Sequence, residues 1–200
     1  AARSVIDTLV PPATPPRVPI AAVTGFNCKP TTARMPAHVT KMAGYTPAPT
    51  ATCRVYIDGP PTAEGDMTGP VSARMVLSDP QIDMAVLETA RGGLLRSGMG
   101  VPEVDVGAVL NVASDHLGLK GIDTLEQLAE IKRIVVEVAR ECAVLNADDP
   151  NVLKMSAYTD AKVICYVTLN PSHTLVREHI RAGGRACALD LSLLPLLRCR

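Results

Sequence analysis

A series of short apolar runs, separated by stretches of helical periodicity, limits what this chain can fold into more than any other feature. Ile20-Ala21-Ala22-Val23 enters a glycine-bearing turn, and runs at 84–87, 106–110, 143–145 and 163–166 follow it. Runs this short, without polar alternation, suit strands covered on both faces. Leu125, Leu128, Ile131, Val135 and Val138 recur at three- and four-residue steps. Glu126, Glu130, Lys132 and Arg133 fill the other face, so a helix is predicted over 124–140. Asp123 or Thr124 can cap its start. Shorter helices are predicted at 70–77 and 175–182, the second stopped by Gly183-Gly184. Alternating strand and helix predicts an α/β fold, a mostly parallel sheet with helices on both faces.

Composition removes several function classes. Twenty basic residues balance 20 acidic ones, so the long-range field of a nucleic-acid binder or an anionic-membrane binder is missing. With one Phe, four Tyr and no Trp, stacking platforms for single strands are not expected. No apolar run approaches the roughly 20 residues that span a bilayer. The first residues carry no secretory pattern. Cysteines at 28, 53, 142, 165, 187 and 199 form no C-x-x-C pair, which argues against a zinc ribbon or a thioredoxin motif. Reduced, mostly buried thiols in a cytoplasmic chain are expected. Residues 1–19 end in a proline-rich stretch that reads as an extended linker from a preceding domain.

Polar clusters follow several of the runs. Val23-Thr24-Gly25-Phe26-Asn27-Cys28-Lys29-Pro30-Thr31-Thr32 has the order of a phosphate cradle: strand, glycine turn, lysine, hydroxyls, helix. A complete loop of this kind has glycine before the lysine and Ser or Thr after it, whereas Cys28 and Pro30 stand there. By itself this segment is matched as well by a surface lysine in an ordinary strand-to-helix turn. Glu88 ends a buried run ahead of Gly92-Gly93, where a metal ion or an amine could meet it; a capping or salt-bridging glutamate is the competing reading. Asn111 precedes an adjacent Asp115-His116, a pair suited to a metal or a phosphate oxygen and equally to a capped turn. Asn146, Asp148 and Asp149 precede Pro150, which favours a capped helix start. The histidines at 38, 173 and 179 read as surface or structural.

In this order and spacing, the motifs resemble the central ATP-binding domain of the Mur ligase family. The resemblance covers about residues 5–185. It rests on 19–25, on Gly69-Pro70-Val71-Ser72-Ala73-Arg74, on 86–96, on Asn111 with 115–119, and on 121–129, 144–150 and 175–180. The resemblance implies a P-loop-type domain spanning 20–170, with 171–200 opening a truncated carboxyl-terminal domain. It implies an ATP-dependent amide ligase that activates a carboxylate as an acyl phosphate for attack by an amine. The branch it resembles most joins arginine to aspartate side chains of a poly-aspartate backbone. On that resemblance Lys29, Glu88 and His116 are catalytic, and Glu88 and His116 hold Mg2+. Thr24, Gly25, Asn27, Lys29, Thr31, Thr32, Asn111, Asn146, Asp148 and Asp149 surround the ATP, and Asn111 and Asp115 support the ion. Thr68, Ser72 and Arg91 are assigned to the acceptor side. The expected partners are ATP, the amino-acid and polypeptide substrates, and the family's ATP-grasp and carboxyl-terminal regions.

The departures from the family cluster at the phosphate loop. Phe26, Cys28 and Pro30 replace the family's Thr, Gly and Thr, and Pro36 falls inside the following helix. A fragment or degenerate copy with impaired ATP binding is therefore expected, and a non-catalytic relic of the same fold is the alternative. An unrelated kinase or GTPase is disfavoured, because a second strand ending in a magnesium-binding aspartate is missing.

Overall fold

The computed structural model describes residues 18–50, 54–56, 61–64, 69–114, 118 and 121–189. The proline-rich start and the residues Thr68, Asp115 and His116 lie outside this set.

Chain order begins with β1 (Ile20–Thr24), α1 (Lys29–Met42), β2 (Pro47–Pro49), β3 (Arg54–Tyr56), β4 (Pro61–Glu64), α2 (Pro70–Leu77) and β5 (Met84–Glu88). It continues with α3 (Arg91–Ser97), β6 (Val104–Val109), α4 (Leu125–Glu137), β7 (Ala139–Asn146) and α5 (Pro150–Leu153). A 3-10 turn (Lys154–Tyr158), β8 (Val163–Thr168), α6 (Thr174–Arg181) and β9 (Arg185–Ala188) complete it. Seven strands form one sheet in the order β2-β5-β1-β6-β7-β8-β9. Every pairing in it is parallel. β3 and β4 form a separate antiparallel ladder.

The apolar runs become the strands, each a residue or more longer than its run. β1 is buried along its whole length. α1 packs Ala33 and Ala37 on Ala21 and Val86, on one face of the sheet. On the other face α4 buries Leu128, Ile131, Val135 and Val136. Full burial of each such side chain contributes about 1.5–3 kcal/mol. α4 crosses β6 closely because Gly107 lacks a side chain there: a Cβ would meet the Val135 carbonyl. A complete capping box between Thr124 and Gln127 starts α4.

α4 stops at Glu137, short of the 140 predicted from periodicity. Val104 donates its N–H to the Val138 carbonyl at 2.9 Å, and Ala139 pairs with Val104, so the chain is already committed to the sheet. The prolines at 47 and 49 form a short edge strand. The ladder to β5 is made by the alternate residues: Asp83 donates to Thr46 O and Thr50 to Val86 O. Proline's missing N–H then faces away from the sheet, where its loss costs little. After α6, β9 pairs β8 at the end of the same sheet.

Candidate functional site at the carboxyl end of β1

Strand order reverses about β1, which has β5 on one side and β6 on the other. In open parallel sheets, ligands bind at the carboxyl ends of strands at such a reversal. Two reciprocal bonds lock the β1 and β5 ends together: the Thr24 hydroxyl donates to Thr89 O at 2.9 Å and the Thr89 hydroxyl to Val23 O at 3.1 Å.

The loop leaving β1 passes under Asn111. At Gly25 a Cβ would lie 2.9 Å from that of Leu110 and 3.3 Å from Asn111 Oδ1, so only glycine fits. Asn111 Oδ1 accepts the Phe26 N–H at 2.7 Å and the Asn27 N–H at 2.9 Å. Cys28 adopts φ 65°, the left-handed conformation that glycine takes without strain. Lys29 opens α1, and its Nζ donates to Phe26 O at 3.1 Å. The first-turn amides of Cys28, Lys29 and Thr31 are those a helix leaves for an anion. Pro30, also in that turn, has none. Thr31 is exposed and Thr32 half-buried.

A cavity of about 290 Å3 opens on this loop, lined by Gly25, Phe26, Lys29, Arg91, Gly92 and Lys132 among others. Lys132 was assigned to the polar face of its helix. It is instead 3% exposed, and its Nζ donates to Gly25 O at 2.8 Å. Burial pulls its pKa down to about 8, and the charges of Lys29 and Arg91 add to that. The spacing held the signal: Lys132 stands four residues after Leu128 and three before Val135, on the stripe that packs inward. Arg91, assigned to the acceptor side, lines this same cavity. Three cations facing one space beside helix amides suit a polyanion.

Glu88 ends β5 next to Val23 and is 1% exposed; its N–H donates to Thr50 Oγ1 at 3.0 Å. Among the described residues no three His, Cys, Asp or Glu side chains gather into a metal cage. Glu88 stands two residues before the cavity-lining Ala90, and a single carboxylate suffices for Mg2+, which takes one or two and completes its shell with water and phosphate oxygens.

The other assigned residues are engaged with backbone. Ser72 is buried and donates to Gly69 O at 2.7 Å. Asn146 Nδ2 donates to Leu110 O at 2.8 Å. Asp149 accepts the Val112 N–H at 2.7 Å on one oxygen and caps α5 through Asn151 and Val152 with the other. Asp148 accepts the Thr168 hydroxyl and the Leu169 N–H, tying β7 to β8.

Residues 23–190 match the Mur ligase middle domain. The cyanophycin synthetase of Synechocystis sp. is 47% identical over 198 residues, 98% of this chain and 23% of that protein. The UDP-N-acetylmuramoyl-L-alanyl-D-glutamate--2,6-diaminopimelate ligase of Bacillus licheniformis is 25% identical over 84% of this chain and 36% of its own. The chain thus spans less than a quarter of the length of the synthetase it matches. A solved structure of a ligase with that same diaminopimelate name superposes with a TM-score of 0.66 at 22% identity, over 84% of this chain and 35% of the other. A bifunctional folylpolyglutamate synthase/dihydrofolate synthase, solved with Mn, AMPPNP and L-glutamate bound, gives a TM-score of 0.58 at 22% identity, over 82% of this chain and 46% of the other. Matched along most of its length, the chain belongs to the Mur ligase middle-domain family.

Proposed function

We propose that this chain is the nucleotide-binding module of an ATP-dependent amide ligase of the cyanophycin synthetase type, with weakened ATP binding. The observation that supports it most is the convergence of Lys29, Lys132 and Arg91 on one cavity at the mouth of the β1 loop. Lys29 and the first-turn amides of α1 neutralise the β/γ-phosphates, and Arg91 and Lys132, which line the same cavity, add charge. Glu88 and His116 would hold Mg2+, which when bound would balance charge on the transferring phosphoryl group. In the complete enzyme the acceptor is the side-chain carboxylate of a poly-aspartate backbone and the attacking amine is arginine, with the ATP-grasp and carboxyl-terminal regions supplying the rest of the site.

Two features of the loop weaken it. Cys28 carries the strain of φ 65°, and Pro30 supplies neither an N–H nor a hydroxyl. These features also favour the second reading, a non-catalytic relic of the same fold. Calorimetric titration of the 200-residue chain with ATP and Mg2+ separates the two. We expect a dissociation constant weaker than about 0.1 mM, abolished by Lys29→Ala. The paired change Cys28→Gly with Pro30→Thr should tighten it at least tenfold, about 1.4 kcal/mol. Micromolar binding by the unaltered chain would overturn the impairment, and no binding after repair would favour the relic.

A further inference from the structure

The expectation of mostly buried thiols fails among the described residues: Cys28 and Cys187 are exposed, and Cys142 and Cys165 are half-buried. Three of the four share a pattern. Cys142 lies on β7, Cys165 on β8 and Cys187 on β9. Cys142 pairs with Val163 and Cys165 with Arg185, so each thiol stands two residues beyond its neighbour's partner. A two-residue offset keeps all three on one face of the sheet. The alternate residues Ala143, Leu145 and Tyr166 belong to the core under α4. The thiols therefore line the opposite face, and none of them lines the cavity at the β1 loop. Burial raises the Cys165 pKa, the Cys187 and Cys142 thiols add to that, and the Arg185 guanidinium opposes it.

We propose that Cys187 and Cys165 form a dithiol site that a hydroperoxide oxidises to a disulfide linking β8 to β9. Cys187 reacts first because it is the exposed member. Its sulfur attacks the O–O bond, becoming a sulfenic acid and releasing one oxygen as an alcohol or water. The Cys165 sulfur then attacks the Cys187 sulfur. The S–S bond forms, the S–O bond breaks, and the departing hydroxide takes the Cys165 proton as water. Two thiols lose two electrons and the hydroperoxide gains them. Burial holds the Cys165 pKa up at about 11, with the neighbouring thiols adding to the shift, which suits a resolving thiol and not a first target.

Strand position selects the pair. β8 and β9 are parallel, and strands about 4.8 Å apart with a rise of about 3.3 Å per residue put Cα atoms offset by two residues roughly 8 Å apart. A disulfide needs about 4.4–6.8 Å. One strand must slide to close that gap. β9 is a four-residue strand at the end of the sheet, paired with β8 alone among the described residues. Cys142 and Cys165 have the same diagonal relation, but β7 and β8 are each held on both sides.

The test is peptide mapping of the 200-residue chain after hydrogen peroxide, alkylation and digestion without reductant. We expect a cross-linked 165–187 peptide, two hydrogens lighter, that dithiothreitol reverses. Cys187→Ser and Cys165→Ser should each remove it and Cys142→Ser should leave it. Conversion of Cys187 to a sulfinic acid, its pairing with Cys142 or Cys199, a cross-link between two chains, or no reaction would each overturn the proposal. Mapping the unaltered chain decides the matter even if a variant misfolds.

Discussion

At the scale of single residues, the loop and the buried lysine set the chemistry. Cys28 has its backbone in the conformation that costs a side-chain-bearing residue about 1–2 kcal/mol. Cys28→Gly removes that cost and adds some chain entropy to the unfolded state, so we expect a net gain of about 1 kcal/mol in denaturant unfolding. A glycine-type conformation here was legible in the loop pattern. The role of Lys132 was not, because its charge suggested a solvated face while its spacing pointed inward. Its folded pKa of about 8 lies below the ordinary 10.5. Between those values the unfolded chain binds more protons, so stability rises with pH across the window. Below pH 8 the cost is fully present, about 3 kcal/mol at most. The Cys165 thiol, held protonated to about 11, acts in the opposite sense above about 9. The difference between the chain and Lys132→Met isolates the lysine: the variant should lose the rise between pH 8 and 10 in thermal melts. An equal slope in both would refute the buried charge.

At the scale of elements, packing overrides local preference. α1 stays continuous through Pro36, which lacks the donor for its turn. Ala33 and Ala37 seat it on Ala21 and Val86, and the Thr40 hydroxyl donates to Pro36 O at 2.8 Å. Pro36→Ala should stabilise the chain by up to about 3 kcal/mol in denaturant unfolding, less if the helix has relaxed around the proline. At the α4–β6 crossing the reverse holds. Gly107→Val would drive side-chain atoms into the Val135 carbonyl and Ala139, and a loss of about 1–3 kcal/mol is expected in the same measurement. The periodic residues of α4 predicted the helix, yet its end was misjudged by a few residues. Nothing local stops it there; the pairing of Ala139 with Val104 does.

At the scale of the whole molecule, side chains join the carboxyl ends of four neighbouring strands. Asp148 ties β8 to the turn after β7. Asn146 and Asp149 hold the backbone on either side of Asn111, which in turn holds Phe26 and Asn27 of the loop after β1. Asp149→Ala removes the acceptor for Val112 and the cap of α5 together. We expect a cost of about 2 kcal/mol and a nucleotide affinity that falls further than stability alone explains, read by calorimetry beside unfolding. Unchanged affinity would show that the chain of bonds does not reach the loop.

Local order along the chain was enough to specify strands, helices and a parallel sheet, because short apolar runs and a 3.6-residue period are properties of neighbours. It also placed Gly25 and Glu88 at strand ends and Lys29 in the turn that leads into a helix. Which side chains meet was decided by the crossing of α4 over β6, which carries Lys132 more than 100 residues along the chain to Gly25 O. The parallel register of β7, β8 and β9 likewise sets three distant thiols in a diagonal row. Contacts of that kind depend on crossing angle and strand offset, and these are fixed only when the layers pack.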